Sequence, residues 1–174
     1  MRLMICAIVL AIITGCATTG GKSMEFTSNT VSFGIVVSDI KKSLAFYKDA
    51  VGLVEVKGFD VSAEMGGEAG LSDHKPFQVH VLKVADTPDA TQVKLMQFAD
   101  TPGARPDNAF IHSTYGIRYL TFRVADTDAA IERAAKAGVK PIAKCPYLLP
   151  SGQYLTIVRD PDGNVVELVG PKKK

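Results

Sequence analysis

The stretch VSFGIVVSDIKKSLAFYKDAVGL, residues 31–53, has a diverged second copy in GIRYLTFRVADTDAAIERAAKAGV, residues 116–139. Superposing Val37-Ser38-Asp39 on Val124-Ala125-Asp126 brings Gly52 onto Gly138 with a one-residue gap. Ahead of each aspartate the residues alternate. Val31, Phe33, Ile35 and Val37 share one face, as do Leu120, Phe122 and Val124, the period-2 pattern of a strand with one buried side. Asp39 and Asp126 suit helix N-caps, where a short carboxylate accepts from orphan backbone N–H groups. Ile40, Leu44, Tyr47 and Val51 then follow one helical stripe, and Gly52 suits a left-handed C-cap. The second helix is rich in alanine, which predicts close packing on its sheet.

Working outward, three strand-like runs follow each helix. They are residues 54–64, 77–84 and 92–98 in the first copy, and 140–144, 154–159 and 164–169 in the second. Turn residues separate them: Gly66-Gly67 and Thr87-Pro88-Asp89 first, then Pro150-Ser151-Gly152 and Asp160-Pro161-Asp162-Gly163. The last has Pro and Gly where a type I turn favours them. The chain therefore reads as an α+β protein of two βαβββ modules, module one 30–99 and module two 116–170. A linker, 100–115, joins them.

RDPDGNVVELVG, residues 159–170, places one acid, Glu167, in the middle of an apolar strand. Together with VVSDIKKSLAFYKDAVGL in module one, it resembles the vicinal oxygen chelate (VOC) superfamily. That group holds glyoxalase I, extradiol dioxygenases and bleomycin-binding proteins. The resemblance implies an eight-stranded open cup whose concave face holds the site. The modules pair either within one chain or between two chains of a homodimer.

Metal-dependent members place a ligand on the first and last strand of each module. The resemblance puts those positions at Ser32, Lys94, Tyr119 and Glu167. Only Glu167 is a good metal ligand. Serine and neutral tyrosine are weak, and a lysine ammonium has no lone pair and repels a cation. His74, His80 and His112 lack ligand spacing. The expectation is no metal and no cofactor. Lys94 should then act as counter-charge to Glu167 across the cup. Ser32, Tyr119, Thr121 and Arg123 should complete a polar set that binds a small polar ligand. The alternative is a metal-free or atypical enzyme of the glyoxalase, lyase or isomerase kind, using Lys94, Tyr119 and Glu167 in proton transfer.

Residues 1–15, MRLMICAIVLAIITG, have Arg2 ahead of an apolar run too short for a stable membrane anchor. Ile13-Thr14-Gly15-Cys16 resembles the lipobox of bacterial lipoproteins, in which the chain is cut before a cysteine that carries the lipid. Cys16 is accordingly the expected lipidation site, and residues 16–29 the lipidated Cys and a flexible tether. Ala17 after the cysteine favours the outer membrane, on the periplasmic face of the cell envelope. Removing the first 15 of 174 residues leaves 159, enough for one domain. Cys145 is then the one remaining thiol. The net charge of +2 shows no basic stripe interleaved with aromatics, which argues against nucleic acid. Residues 171–174 form a basic tail, expected to be solvated.

Overall fold

A computed structural model describes residues 26–28 and 30–173. The signal segment, Cys16 and most of the tether lie outside the described residues. Among the described residues no helix is long and apolar enough to cross a membrane.

The strands are β1 (Ser32–Val36), β2 (Val54–Val61), β3 (Phe77–Lys83), β4 (Gln92–Met96), β5 (Tyr119–Arg123), β6 (Tyr147–Leu148), β7 (Tyr154–Arg159) and β8 (Val165–Gly170). They form two four-stranded sheets, ordered β1-β4-β3-β2 and β5-β8-β7-β6. In each, the first strand runs parallel to the last and the others are antiparallel. The matching orders are the two βαβββ modules that the internal duplication predicts.

Helix α1 (Ile40–Ala45) opens under Asp39, whose Oδ1 accepts from Lys42 N–H at 3.1 Å. It continues as a π-helical segment, Phe46–Val51, closed by left-handed Gly52. Helix α3 (Thr127–Lys136) starts at Asp126 in the same way, Oδ1 accepting from Asp128 N–H at 3.0 Å. The alternation holds in space. Val93, Leu95, Val166 and Leu168 are fully buried against the helices, while Ser32, Gly34, Val36 and Tyr119 are exposed on the other face. Ala130 and Ala134 are small enough to let α3 pack closely, and they join both modules in one core. Arg133 locks the helices end to side. Its Nε donates to Ala50 O at 3.1 Å and its Nη2 to Val51 O at 2.8 Å, satisfying carbonyls that the first helix leaves open.

Three local expectations need correction. The strand expected over 54–64 ends at Val61, because Ser62 caps a short helix, α2 (Ala63–Glu68), by accepting from Met65 N–H at 3.1 Å. Gly66 and Gly67 lie within that helix rather than in a turn. Their missing side chains let Ser72 and His74 of the following loop pack onto it. No strand forms over 140–144. Ala143 takes a left-handed φ of 54°, and the Cys145 Sγ, instead of a ladder carbonyl, accepts from Ile157 N–H at 3.4 Å. Pairing resumes only at Tyr147. Residues 171–173 are exposed, with contacts at the base of the tail. Pro171 O accepts from Thr127 N–H at 2.8 Å, and Lys172 pairs with Asp128 at 3.0 Å while lying over the Tyr154 ring.

The two modules are stitched together by the 160–164 turn. Asp160, 4 % exposed, accepts through Oδ1 from the N–H groups of Asp162 and Asn164 at 3.0 and 2.8 Å. Its Oδ2 accepts from Asn164 Nδ2 at 2.9 Å and from the Tyr47 hydroxyl of module one at 3.0 Å. Asp162 adds a second bridge, its Oδ2 accepting from Ser38 N–H at 2.9 Å. Burial, reinforced by Asp160, pushes the Tyr47 phenol far above its ordinary value.

Tyr47→Phe should destabilise the domain by about 2 kcal/mol, since a buried carboxylate loses a donor. Unfolded tyrosine ionises near 10.0 whereas folded Tyr47 stays protonated. The fold therefore binds one more proton above that pH, and stability falls as pH rises past 10. Urea unfolding of wild type and variant across pH 8–11 checks both points: the gap between them should narrow at the alkaline end.

Candidate functional site

β1 and β5 are edge strands, each paired on one side only. In β1, Val37 N–H donates to Met96 O at 2.8 Å and Val31 O accepts from Gln92 N–H at 3.3 Å. A strand turns alternate residues to opposite neighbours, so Phe33 and Ile35 serve β4. Ser32, Gly34 and Val36 present their N–H and C=O groups to the open edge. In β5, Val124 N–H donates to Val169 O at 2.9 Å, so Tyr119, Thr121 and Arg123 present theirs.

Between these edges lies a cleft of about 690 Å³, within the size range of small-molecule sites. Residues 32–38 form one wall and residues 117–120 the other. The linker, over 102–106, and the strand-end residues 97–99 close one side, and Tyr47, Asp162, Asn164 and Val165 complete it. The lining is largely apolar, with Phe33, Ile35, Phe98, Ile117 and Leu120 among its side chains. Two arginines reach it from the linker region. Arg105 Nη2 donates to Ser38 Oγ at 3.2 Å and stands 3.6 Å from Asp162 Oδ1. Arg118 is anchored to the linker backbone and to Asn108 Oδ1 at 2.7 Å.

The sequence-predicted site residues divide. Ser32 and Tyr119 line the cleft. Lys94, Thr121, Arg123 and Glu167 lie on the exposed face of the sheets beyond it. Lys94 pairs in register with Gly34, and Glu167 with Thr121, so the two are equivalent positions of the duplicated module. They do not pair with each other. Lys94 Nζ lies 6.0 Å from the centre of the Phe59 ring, and Glu167 Oε2 accepts from Thr121 Oγ1 at 2.6 Å. Each sits on the second strand of its own sheet, so both edge strands and the cleft separate them. Arg123 Nη1 donates to Gln153 Oε1 at 3.1 Å. Ser32 Oγ makes only a long contact, 3.5 Å, to Gln92 Oε1.

These residues do not fit a metal. A serine, a tyrosine and a lysine offer no good ligand to a divalent cation, and Glu167 is engaged with Thr121. Among the described residues no three His, Cys, Asp or Glu side chains converge. Cys145 is engaged with backbone at Ile142 O and Ile157 N–H.

A family model described as Glyoxalase/Bleomycin resistance protein/Dioxygenase superfamily matches residues 29–168. The chain belongs to that superfamily. Solved structures with the same fold include a glyoxalase family protein from Bacillus cereus, 18 % identical with a TM-score of 0.70, covering 87 % of this chain and 98 % of that one. An antibiotic binding protein from a Streptomyces species is 25 % identical with a TM-score of 0.53, over 86 % of this chain and 99 % of its own. A glyoxylase/bleomycin resistance protein/dioxygenase domain from Frankia is 22 % identical with a TM-score of 0.54, over 83 % and 91 %. A search of curated proteins gives no match.

Sequence reasoning missed Arg105, Arg118 and the cleft they border. The available signal was Pro102-Gly103-Ala104-Arg105-Pro106, a stiff, proline-bounded stretch in the one segment that must cross from module to module.

Because Lys94 and Glu167 are uncoupled, a double-mutant cycle of Lys94→Met and Glu167→Gln should be additive within about 0.5 kcal/mol. Chemical denaturation of the four proteins measures it. A larger coupling energy would restore the ion pair that the geometry denies.

Proposed function

We propose that this superfamily member is a metal-free ligand-binding protein of the cell envelope, tethered by a lipid on Cys16, that holds a small organic molecule between its two modules. The observation that carries this reading is the cleft of about 690 Å³, walled by both edge strands and closed by the linker. Its apolar lining and few polar groups match the usual make-up of a small-molecule site. Support also comes from the residue types at the positions that the resemblance assigns to metal ligands, of which only Glu167 is a good ligand. The Streptomyces structure is described as an antibiotic binding protein, so ligand binding is a role that this fold carries there, although function is argued from the site rather than from the fold. The enzymatic alternative would use Lys94, Tyr119 or Glu167 in proton transfer, and of these only Tyr119 lines the cleft.

Val36 is exposed on the cleft wall, so Val36→Trp fills the space without disturbing the core. In a thermal-shift screen against a library of small aromatic and aliphatic compounds, wild type should rise by a few degrees with its ligands and Val36→Trp should not. No shift with any compound would sink the binding role. Stoichiometric zinc or iron retained through chelation, with turnover of the methylglyoxal–glutathione adduct, would replace it with an enzymatic one.

The envelope address has its own test. Cells expressing the full chain should incorporate radiolabelled palmitate into the protein, and Cys16→Ala should abolish the label. Labelling that survives the substitution would place the lipid elsewhere.

A further inference from the structure

The polar groups of the cleft restrict what it can hold. Among the described residues the one carboxylate in the lining is Asp162, and each of its oxygens already has a partner: Oδ2 accepts from Ser38 N–H at 2.9 Å and Oδ1 faces Arg105 at 3.6 Å. Gln97 is spent as well, its Oε1 accepting from Ile40 N–H and its Nε2 donating to Ser38 O. Asn164 and Tyr47 are committed to Asp160. The two guanidiniums are not. Arg105 makes its contacts through Nη2 alone, leaving Nε and Nη1 without a partner among the described residues, and its side chain is 70 % exposed. Arg118 likewise uses Nε and Nη2 and leaves Nη1. Asp107 meets Arg118 through its backbone carbonyl, while its carboxylate accepts from Ala109 N–H. Two cations therefore face one carboxylate, and the uncommitted side-chain groups are mainly donors.

We infer that the cleft selects a monocarboxylate with an apolar body, the acid end on Arg105 and the body between Phe33, Ile35, Phe98, Ile117 and Leu120. This rests on the cleft being the ligand site and names the ligand's chemical class. The two guanidiniums and one carboxylate of the lining leave a net charge of +1, which one negative charge on the ligand balances. A carboxylate also matches the planar fork of a guanidinium, which donates two parallel hydrogen bonds to its oxygens. The Ser32 and Tyr119 hydroxyls and the open-edge carbonyls can accept hydrogen bonds, but they are neutral and cannot offset the repulsion between an ammonium and the two guanidiniums. A cationic ligand would meet Arg105 and Arg118 directly and be repelled.

Three probes of similar shape separate the possibilities: 2-naphthoate, neutral 2-acetonaphthone and cationic 2-naphthylmethylamine, titrated by calorimetry into the purified full chain. Naphthoate should bind about tenfold tighter than the ketone, as a charge-assisted hydrogen bond implies, and the amine weakest of the three. Arg105→Gln keeps a hydrogen-bonding side chain but no charge, and its exposed position leaves folding intact. It should erase most of the tenfold preference, and added salt should weaken naphthoate selectively. Equal affinity for acid and ketone, tighter binding of the amine, or an unchanged preference in Arg105→Gln would overturn the acid selectivity while leaving the cleft as a binding site. Failure of all three probes to bind would overturn the cleft reading and the selectivity together.

Discussion

The arrangement depends on one buried carboxylate. Asp160 gathers four donors, two from the backbone of its own turn, one from Asn164 and one from Tyr47 on the first module's helix. A carboxylate removed from water is costly unless its lone pairs are satisfied. Each donor therefore has to be where it is for the others to be worth having. The turn shapes the start of β8, Tyr47 ties the helix of one module to the turn of the other, and Asp162 extends the join to Ser38. The distance between the sheets, and with it the width of the cleft, follows from that join.

The cleft is a by-product of how the modules meet. Helices pack on helices through Ala130, Ala134 and the Arg133 contacts, and turn packs on helix through Asp160. No backbone ladder joins β1 to β5. Their edges are left looking at one another with unpaired N–H and C=O groups, an arrangement that soluble proteins usually cover. Here the cover is the proline-bounded linker, which makes the two edges the walls of a site.

Much of this architecture was legible in the sequence because it rests on local signals repeated twice. The alternation before Asp39 and Asp126, their capping role and the glycine stops all act within a few residues of one another. The 140–144 segment was not legible, because Ala143 adopts a conformation unusual for its side chain and a cysteine sulfur takes the place of a ladder carbonyl. Those are tertiary choices. Residue parity correctly placed Lys94 and Glu167 on the exposed face at equivalent positions. It could not give their separation, which depends on how far apart the Asp160 join holds the sheets. Arg105 and Arg118 escaped for a related reason: they belong to no periodic element, and only the path of the linker brings them to the cleft.

The linker thus contributes to recognition without belonging to either half of the duplication. Residues 102–106 make no strand or helix, and neither sheet relies on their side chains for its core. A few substitutions or a short insertion there would reshape the wall and its charge while both modules keep their hydrogen-bond ladders. In such a duplicated fold the connecting segment is free to diversify, and new ligand preferences can arise there without renegotiating the stability of the domain.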